Sequence, residues 1–97
     1  MIRLLLTFAC LSSPLAMAAE STWLFSYFVG NGEDGLHLAE SEDGLTWTPL
    51  NEGKPLLAPA LGREKLMRDP CIVPGPDGRY HMVWTCSWQD NGIGYAW

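Results

Sequence analysis

The sequence predicts an all-β fold: an incomplete β-propeller with antiparallel strands from its first two blades, preceded by a signal peptide. Three observations point there. Short aromatic and β-branched runs alternate with turns built on Gly, Asp and Asn. Helical periodicity is absent from the mature chain, except for a turn near Arg63–Met67. The chain also meets itself without a gap when slid by 57 positions, and a β-repeat of that size suggests propeller blades.

The elements follow in order. Met1-Ile2-Arg3 is a short basic start, Leu4 to Leu15 is mostly apolar, and Ala16-Met17-Ala18 has the small-x-small pattern of a cleavage site. This reads as a secretory signal peptide over residues 1–18, with a secreted or periplasmic destination. A membrane anchor would be short and broken at Pro14, and Thr7 fits a lipoprotein motif before Cys10 poorly. Residues 19–97 form the mature part. Strands are expected at Trp23–Val29, Leu36–Ala39, Leu45–Trp47, Cys71–Val73, Tyr80–Thr85 and Ile93–Ala96. Asp34-Gly35, Asp43-Gly44 and Asp77-Gly78 supply the positive φ angles of the intervening turns. Asn51 to Leu66, with Pro55 and Pro59, reads as a connection between blades.

In the self-match, Trp23 lands on Tyr80, Phe25 on Met82, Tyr27 on Trp84 and Leu38-Ala39 on Tyr95-Ala96. A second copy of Ser41–Trp47 would begin just past Trp97, and Asp69–Val73 maps back to residues 12–16, inside the leader. Copy one therefore lacks its first strand and copy two its last. A propeller needs 4–8 blades, so the expectation is the N-terminal fragment of a longer protein.

Composition narrows the function. The net charge is −5, with 18% charged and 47% hydrophobic residues, too apolar for a disordered chain. The acid excess and the scatter of Arg3, Lys54, Arg63, Lys65, Arg68 and Arg79 argue against nucleic acid. No internal apolar run approaches the roughly 18 residues of a membrane helix. Only Cys71 and Cys86 remain in the mature part, and a small secreted domain usually carries more bridges. A hairpin closed at Gly75–Gly78 sets position 71 opposite about 82, which argues against a Cys71–Cys86 bridge.

Asp69 is the strongest candidate for chemistry, because Pro70 pushes it toward an extended conformation at the start of a strand. Trp88, at a strand end before Gln89-Asp90-Asn91, either packs between blades or presents its aromatic face to a ligand. Arg68 reads as a solvated surface residue or as the partner of a carboxylate in a cleft. Trp23, Trp47 and Trp84 are assigned to packing between blades. His37 and His81 have no metal-ligand spacing and read as packed or surface residues. No Ser-His-Asp set, phosphate loop or paired CxxC appears.

Met67-Arg68-Asp69-Pro70-Cys71-Ile72-Val73 and the hairpin Gly75-Pro76-Asp77-Gly78-Arg79-Tyr80 to Thr85 resemble glycoside hydrolase family 43. Ile93-Gly94-Tyr95-Ala96 and the turn Ser41–Trp47 are similar to the same family, and the resemblance spans most of residues 22–97. It implies a five-bladed propeller that hydrolyses arabinose- or xylose-containing glycans with inversion. Asp69 matches the general base, and Arg68 and Trp88 become substrate-binding candidates. The family's second Asp and its acid Glu have no match here: Glu33, Glu40, Glu42, Glu52 and Glu64 all lie upstream of Asp69. The isolated chain is therefore expected to be inactive. No cofactor is implied; a channel calcium is allowed by analogy, without a visible ligand set. The partner is a carbohydrate. A non-catalytic sugar-binding propeller and a truncated chain without activity are the competing readings.

Overall fold

The computed structural model describes residues 21–97, so the leader reading of residues 1–18 lies outside the described residues. Among the described residues, six strands form two three-stranded antiparallel sheets. Sheet one runs β1 (Trp23–Tyr27), β2 (His37–Ser41) and β3 (Thr48–Pro49) in chain order. Sheet two runs β4 (Arg68–Pro74), β5 (Tyr80–Thr85) and β6 (Gly94–Ala96).

The 57-position repeat survives as geometry. Phe25 faces Ala39 across β1 and β2, and Met82 faces Ala96 across β5 and β6. Ser26 opposite Leu38 becomes Val83 opposite Tyr95, and Tyr27 opposite His37 becomes Trp84 opposite Gly94. The two strand pairs thus share one register. β4 has no counterpart among the described residues of sheet one.

Several expected bounds move, each for a physical reason. Leu45–Trp47 is turn rather than strand, because the Leu45 and Thr46 amides both donate to Asp43 Oδ1 at 2.8 Å. Those donors are lost to a ladder, and β3 begins only at Thr48. β1 stops at Tyr27, before a turn closed by Gly32 N–H to the Val29 carbonyl at 2.9 Å. No helical turn forms at Arg63–Met67. The Leu66 amide donates to the Cys86 carbonyl at 3.0 Å and the Met67 amide to the Gly32 carbonyl at 2.8 Å, which ties this segment to two other loops. Among the described residues the one short helical turn is 3-10, at Asn51–Gly53. Cys71 stands opposite Val83, one position from the expected partner, and neither Cys71 nor Cys86 is bonded.

The core forms where the inner face of sheet two meets sheet one. Leu36, Met67, Met82, Trp84 and Cys86 are buried together, with Leu38, Ile72 and Ala96 packed against them. Strand alternation puts Met82, Trp84 and Ala96 on one face of sheet two and Leu38 and Ser26 on the facing side of sheet one. Ser26 Oγ donates to the Pro70 carbonyl at 2.7 Å and links the sheets. Trp84 lies over Gly94, where an added Cβ would stand 2.0 Å from its ring. A second tie joins Leu36 to Leu57: Leu36 N–H reaches the Leu57 carbonyl at 2.9 Å, and Leu56 N–H reaches the Leu36 carbonyl at 2.7 Å. Of the three tryptophans assigned to packing between blades, only Trp84 is buried, at 5% exposure. Trp23 is 59% exposed and Trp47 37%; both stand toward the edges of the outer face of sheet one, whose middle strand β2 keeps Ala39 and Ser41 buried.

Candidate functional site

Arg68-Asp69-Pro70 opens β4 through a bulge. Arg68 pairs with Thr85 and Cys71 with Val83, so Asp69 and Pro70 together stand opposite Trp84. An extra residue in one strand bends it and re-aims its side chains, and proline is tolerated there because the ladder is already broken. The extended conformation expected for Asp69 is not found: its φ is +49°. The bulge imposes this left-handed geometry, which aspartate tolerates better than most residues. Asp69 is solvent-exposed and Pro70 is buried, so the proline anchors the strand while the carboxylate stands in water.

Arg68 and Trp88 are brought together. The Arg68 guanidinium carbon lies 4.4 Å from the Trp88 ring centroid and 4.8 Å from that of Phe28. Asn31 Oδ1 accepts hydrogen bonds from the Arg68 guanidinium and from Trp88 Nε1, the latter at 3.2 Å. Arg68 makes no ion pair among the described residues; aromatic faces and an amide hold it instead of the expected carboxylate. Contacts of this cation–π kind are each worth about 0.5–2 kcal/mol, more as water is excluded. Arg68 is half-buried, whereas Trp88 remains 60% exposed.

Three loops meet at this cluster, and backbone contacts fix them. A Cβ at Gly32 would come within 2.8 Å of the Met67 carbonyl oxygen, so only glycine permits this approach of the 28–35 loop. Glu64 accepts from Ser87 Oγ at 2.8 Å and from the Trp88 amide. It fixes the loop that carries Trp88. Asn31, Phe28 and Glu64 were missed by sequence reasoning. Their roles depend on contacts across 23 to 57 positions, and local pattern carries no trace of those.

The remaining polar groups sort into turns and one network. Asp43 binds Ser41 Oγ at 3.0 Å besides the two turn amides, and the Thr46 amide foremost holds its carboxyl below the usual aspartate range. Residues around it, with Thr22, Glu40 and Thr48, line an open concavity of about 340 Å³ that includes none of Asp69, Arg68 or Trp88. Asp77, His81 and Tyr95 form a chain on the outer face of sheet two. His81 Nε2 lies 2.9 Å from Asp77 Oδ1, and Nδ1 lies 2.6 Å from Tyr95 Oη. Hydrogen bonding to His81, then to the Arg79 amide, lowers the Asp77 pKa. His37 is buried, 2.8 Å from Asp34 Oδ2 and packed on Tyr27. Among the described residues no three His, Cys, Asp or Glu side chains converge as metal ligands.

No curated protein and no solved structure matches this chain significantly. A family profile described as a probable glycosyl hydrolase domain, related to glycoside hydrolase family 43, does match, over residues 19–92. That span takes in sheet one, strands β4 and β5 of sheet two, the bulge at Asp69 and the Arg68–Trp88 cluster, and the chain belongs to this family of glycosyl hydrolase-related domains.

Proposed function

We propose that this chain is the N-terminal part of a secreted, inverting glycoside hydrolase that acts on arabinose- or xylose-containing glycans. In this reading the two sheets are parts of the first two blades of a five-bladed propeller. The shared register of β1–β2 and β5–β6 supports it, as does the stacking of the two like sheets face to face. The observation that carries the catalytic reading is the bulge that leaves Asp69 exposed, next in the chain to the Arg68–Trp88 cluster.

Inversion needs a carboxylate base and a protonated carboxylic acid roughly 6.5–9.5 Å apart, with water between the base and the sugar. Asp69, in contact with solvent, acts as the base: it takes a proton from water as the oxygen attacks the anomeric carbon. Trp88 presents its free ring to the apolar face of a sugar, and Arg68 fixes that ring from behind while directing its remaining N–H donors to sugar hydroxyls. The acid must come from outside this chain. Glu64 is held in the loop, where it accepts hydrogen bonds from Ser87 Oγ and the Trp88 amide.

The test is Asp69→Asn in the full reading frame, assayed on aryl arabinosides and xylosides with product anomers followed by NMR. Turnover should fall by about 10²–10⁴-fold with glycan binding retained. Unchanged turnover would remove Asp69 from catalysis. If glycan binding persists in a wild-type protein without turnover, the sugar-binding reading stands instead.

A further inference from the structure

The half-buried side-chain amide of Asn31 has only one orientation open to it. Its Oδ1 accepts from the Arg68 guanidinium and, at 3.2 Å, from Trp88 Nε1. Both partners carry N–H groups and no acceptor, so neither tolerates an NH2 group in that place. Two donors, one on β4 and one on the connection from β5 to β6, thus fix the amide. The oxygen belongs to the cluster, and the two N–H groups of Nδ2 are left over. Among the described residues Nδ2 makes no hydrogen bond.

The backbone beneath Asn31 is held as well. Its own amide donates to Glu33 Oε2 at 3.0 Å, the Gly32 amide closes the turn on Val29, and the Met67 amide reaches the Gly32 carbonyl at 2.8 Å. Trp88 is set from three sides: Arg68 over its ring, Asn31 at the indole N–H and Glu64 at the main-chain amide. An indole turned over would carry Nε1 away from Asn31 and lose that bond. Asn31 therefore sets the plane of a ring that is 60% exposed. Nδ2 shares one planar amide with the oxygen at the edge of that ring. A polyol stacked on Trp88 meets a fixed pair of donors at the rim, and small-molecule sites use such fixed polar groups to orient a ligand.

We propose that Asn31 is a specificity-determining residue of the glycan site: Oδ1 positions Trp88 and Arg68, and Nδ2 donates to an oxygen of the sugar stacked on Trp88. The inference rests on the glycan reading of this cluster and adds what the site demands of its ligand. Asn31 Nδ2 and the spare N–H groups of Arg68 are donors only. This edge selects an oxygen that accepts, whether a hydroxyl or an ether. An amino sugar, protonated at neutral pH, would meet a guanidinium and an N–H pair and be turned away.

Two substitutions in the full reading frame test it. Asn31→Asp keeps an acceptor for both donors and removes the N–H pair at neutral pH, whereas Asn31→Ala removes both. Without ligand, proton exchange of the Trp88 indole N–H is followed by NMR, its signal assigned with Trp88→Phe. Exchange should be slow in the wild type and in Asn31→Asp, and faster in Asn31→Ala. Affinities for xylo- and arabino-oligosaccharides and their mono-O-methyl ethers are then measured by calorimetry. An ether oxygen accepts but has no proton to give a carboxylate. At the oxygen that Asn31 contacts, methylation should cost Asn31→Asp about 3–10-fold more affinity than it costs the wild type. At every other oxygen the two proteins should respond alike. If no ether separates them, Nδ2 does not touch the sugar, and the inference falls while the glycan reading stands. An indole N–H that exchanges as fast in Asn31→Asp as in Asn31→Ala overturns the positioning role of Oδ1. A wild type that binds none of these oligosaccharides removes the glycan reading and this inference with it.

Discussion

Sheet one and sheet two share a strand pair of the same register, yet β5 buries Met82 and Trp84 where β1 leaves Phe25 exposed and Tyr27 half-buried. Tyr27 and Trp84 occupy equivalent positions. Trp84 is 5% exposed beneath sheet one, while Tyr27 sits half-buried on the outer side of the molecule. Alternation and register are local properties of a strand pair, set by its turn and its side-chain period. Burial is a property of what lies on top. One pattern therefore carries different weight in the two sheets.

The largest expected effect comes from that contrast. Trp84→Ala should lose about 3–5 kcal/mol in urea unfolding, because it empties the core under Leu38 and leaves Gly94 uncovered. Tyr27→Ala should lose about 1 kcal/mol. Equal losses would mean that the outer face of sheet one is covered in solution.

Next come the turns. At Gly35, with φ +117°, an added Cβ would stand 1.9 Å from the Leu57 carbonyl oxygen. Gly35→Ala should cost about 3 kcal/mol or more and break the Leu36–Leu57 bridge. Gly78 also has positive φ, at +76°, but its Cβ position is open. Gly78→Ala should cost only the backbone term, about 1–2 kcal/mol. Loss of amide protection at Leu36 in the first variant, and not in the second, would separate the two causes.

Smaller still is the acid response. The folded pKa of Asp43 is depressed below the ordinary 3.8, chiefly by the Thr46 and Leu45 amides. Its contribution to stability is thus present above pH 3.8 and is lost as pH falls through the lower folded value. Acid titration of Asp43→Ala should show a shallower fall in stability below that pH than the wild type, with β3 the strand most affected at neutral pH. The smallest effect separates the two aspartates. Asp77 owes its low pKa first to His81, so His81→Phe should let Asp77 titrate nearer its ordinary value by carboxyl NMR while Asp43 does not move.

Much of the fold was legible because it is local. Tyr80–Thr85 lies where alternation put it, and the 57-position repeat anticipated a shared register. Leu45–Trp47 was misread because a carboxylate at Asp43 competes with the ladder for the same amides. Of the site, Asp69, Arg68 and Trp88 could be picked out as residues, and the structure gathers the last two. The conformation of Asp69 could not be read. Pro70 alone favours extension, and the bulge that overrides it exists only against β5.

The sequence by itself determined the β class, the turns at Asp-Gly pairs, the strand-pair repeat and the family resemblance. Each rests on side-chain period, backbone freedom at glycine or residue identity, and all of these act within a few positions. Tertiary structure decided which face of each sheet is buried, and that Asn31 and Phe28 hold Arg68 against Trp88. It also decided that Asp69 leaves the strand direction at a bulge. Those outcomes depend on surfaces that meet across dozens of residues, where packing and shared hydrogen bonds outweigh local preference.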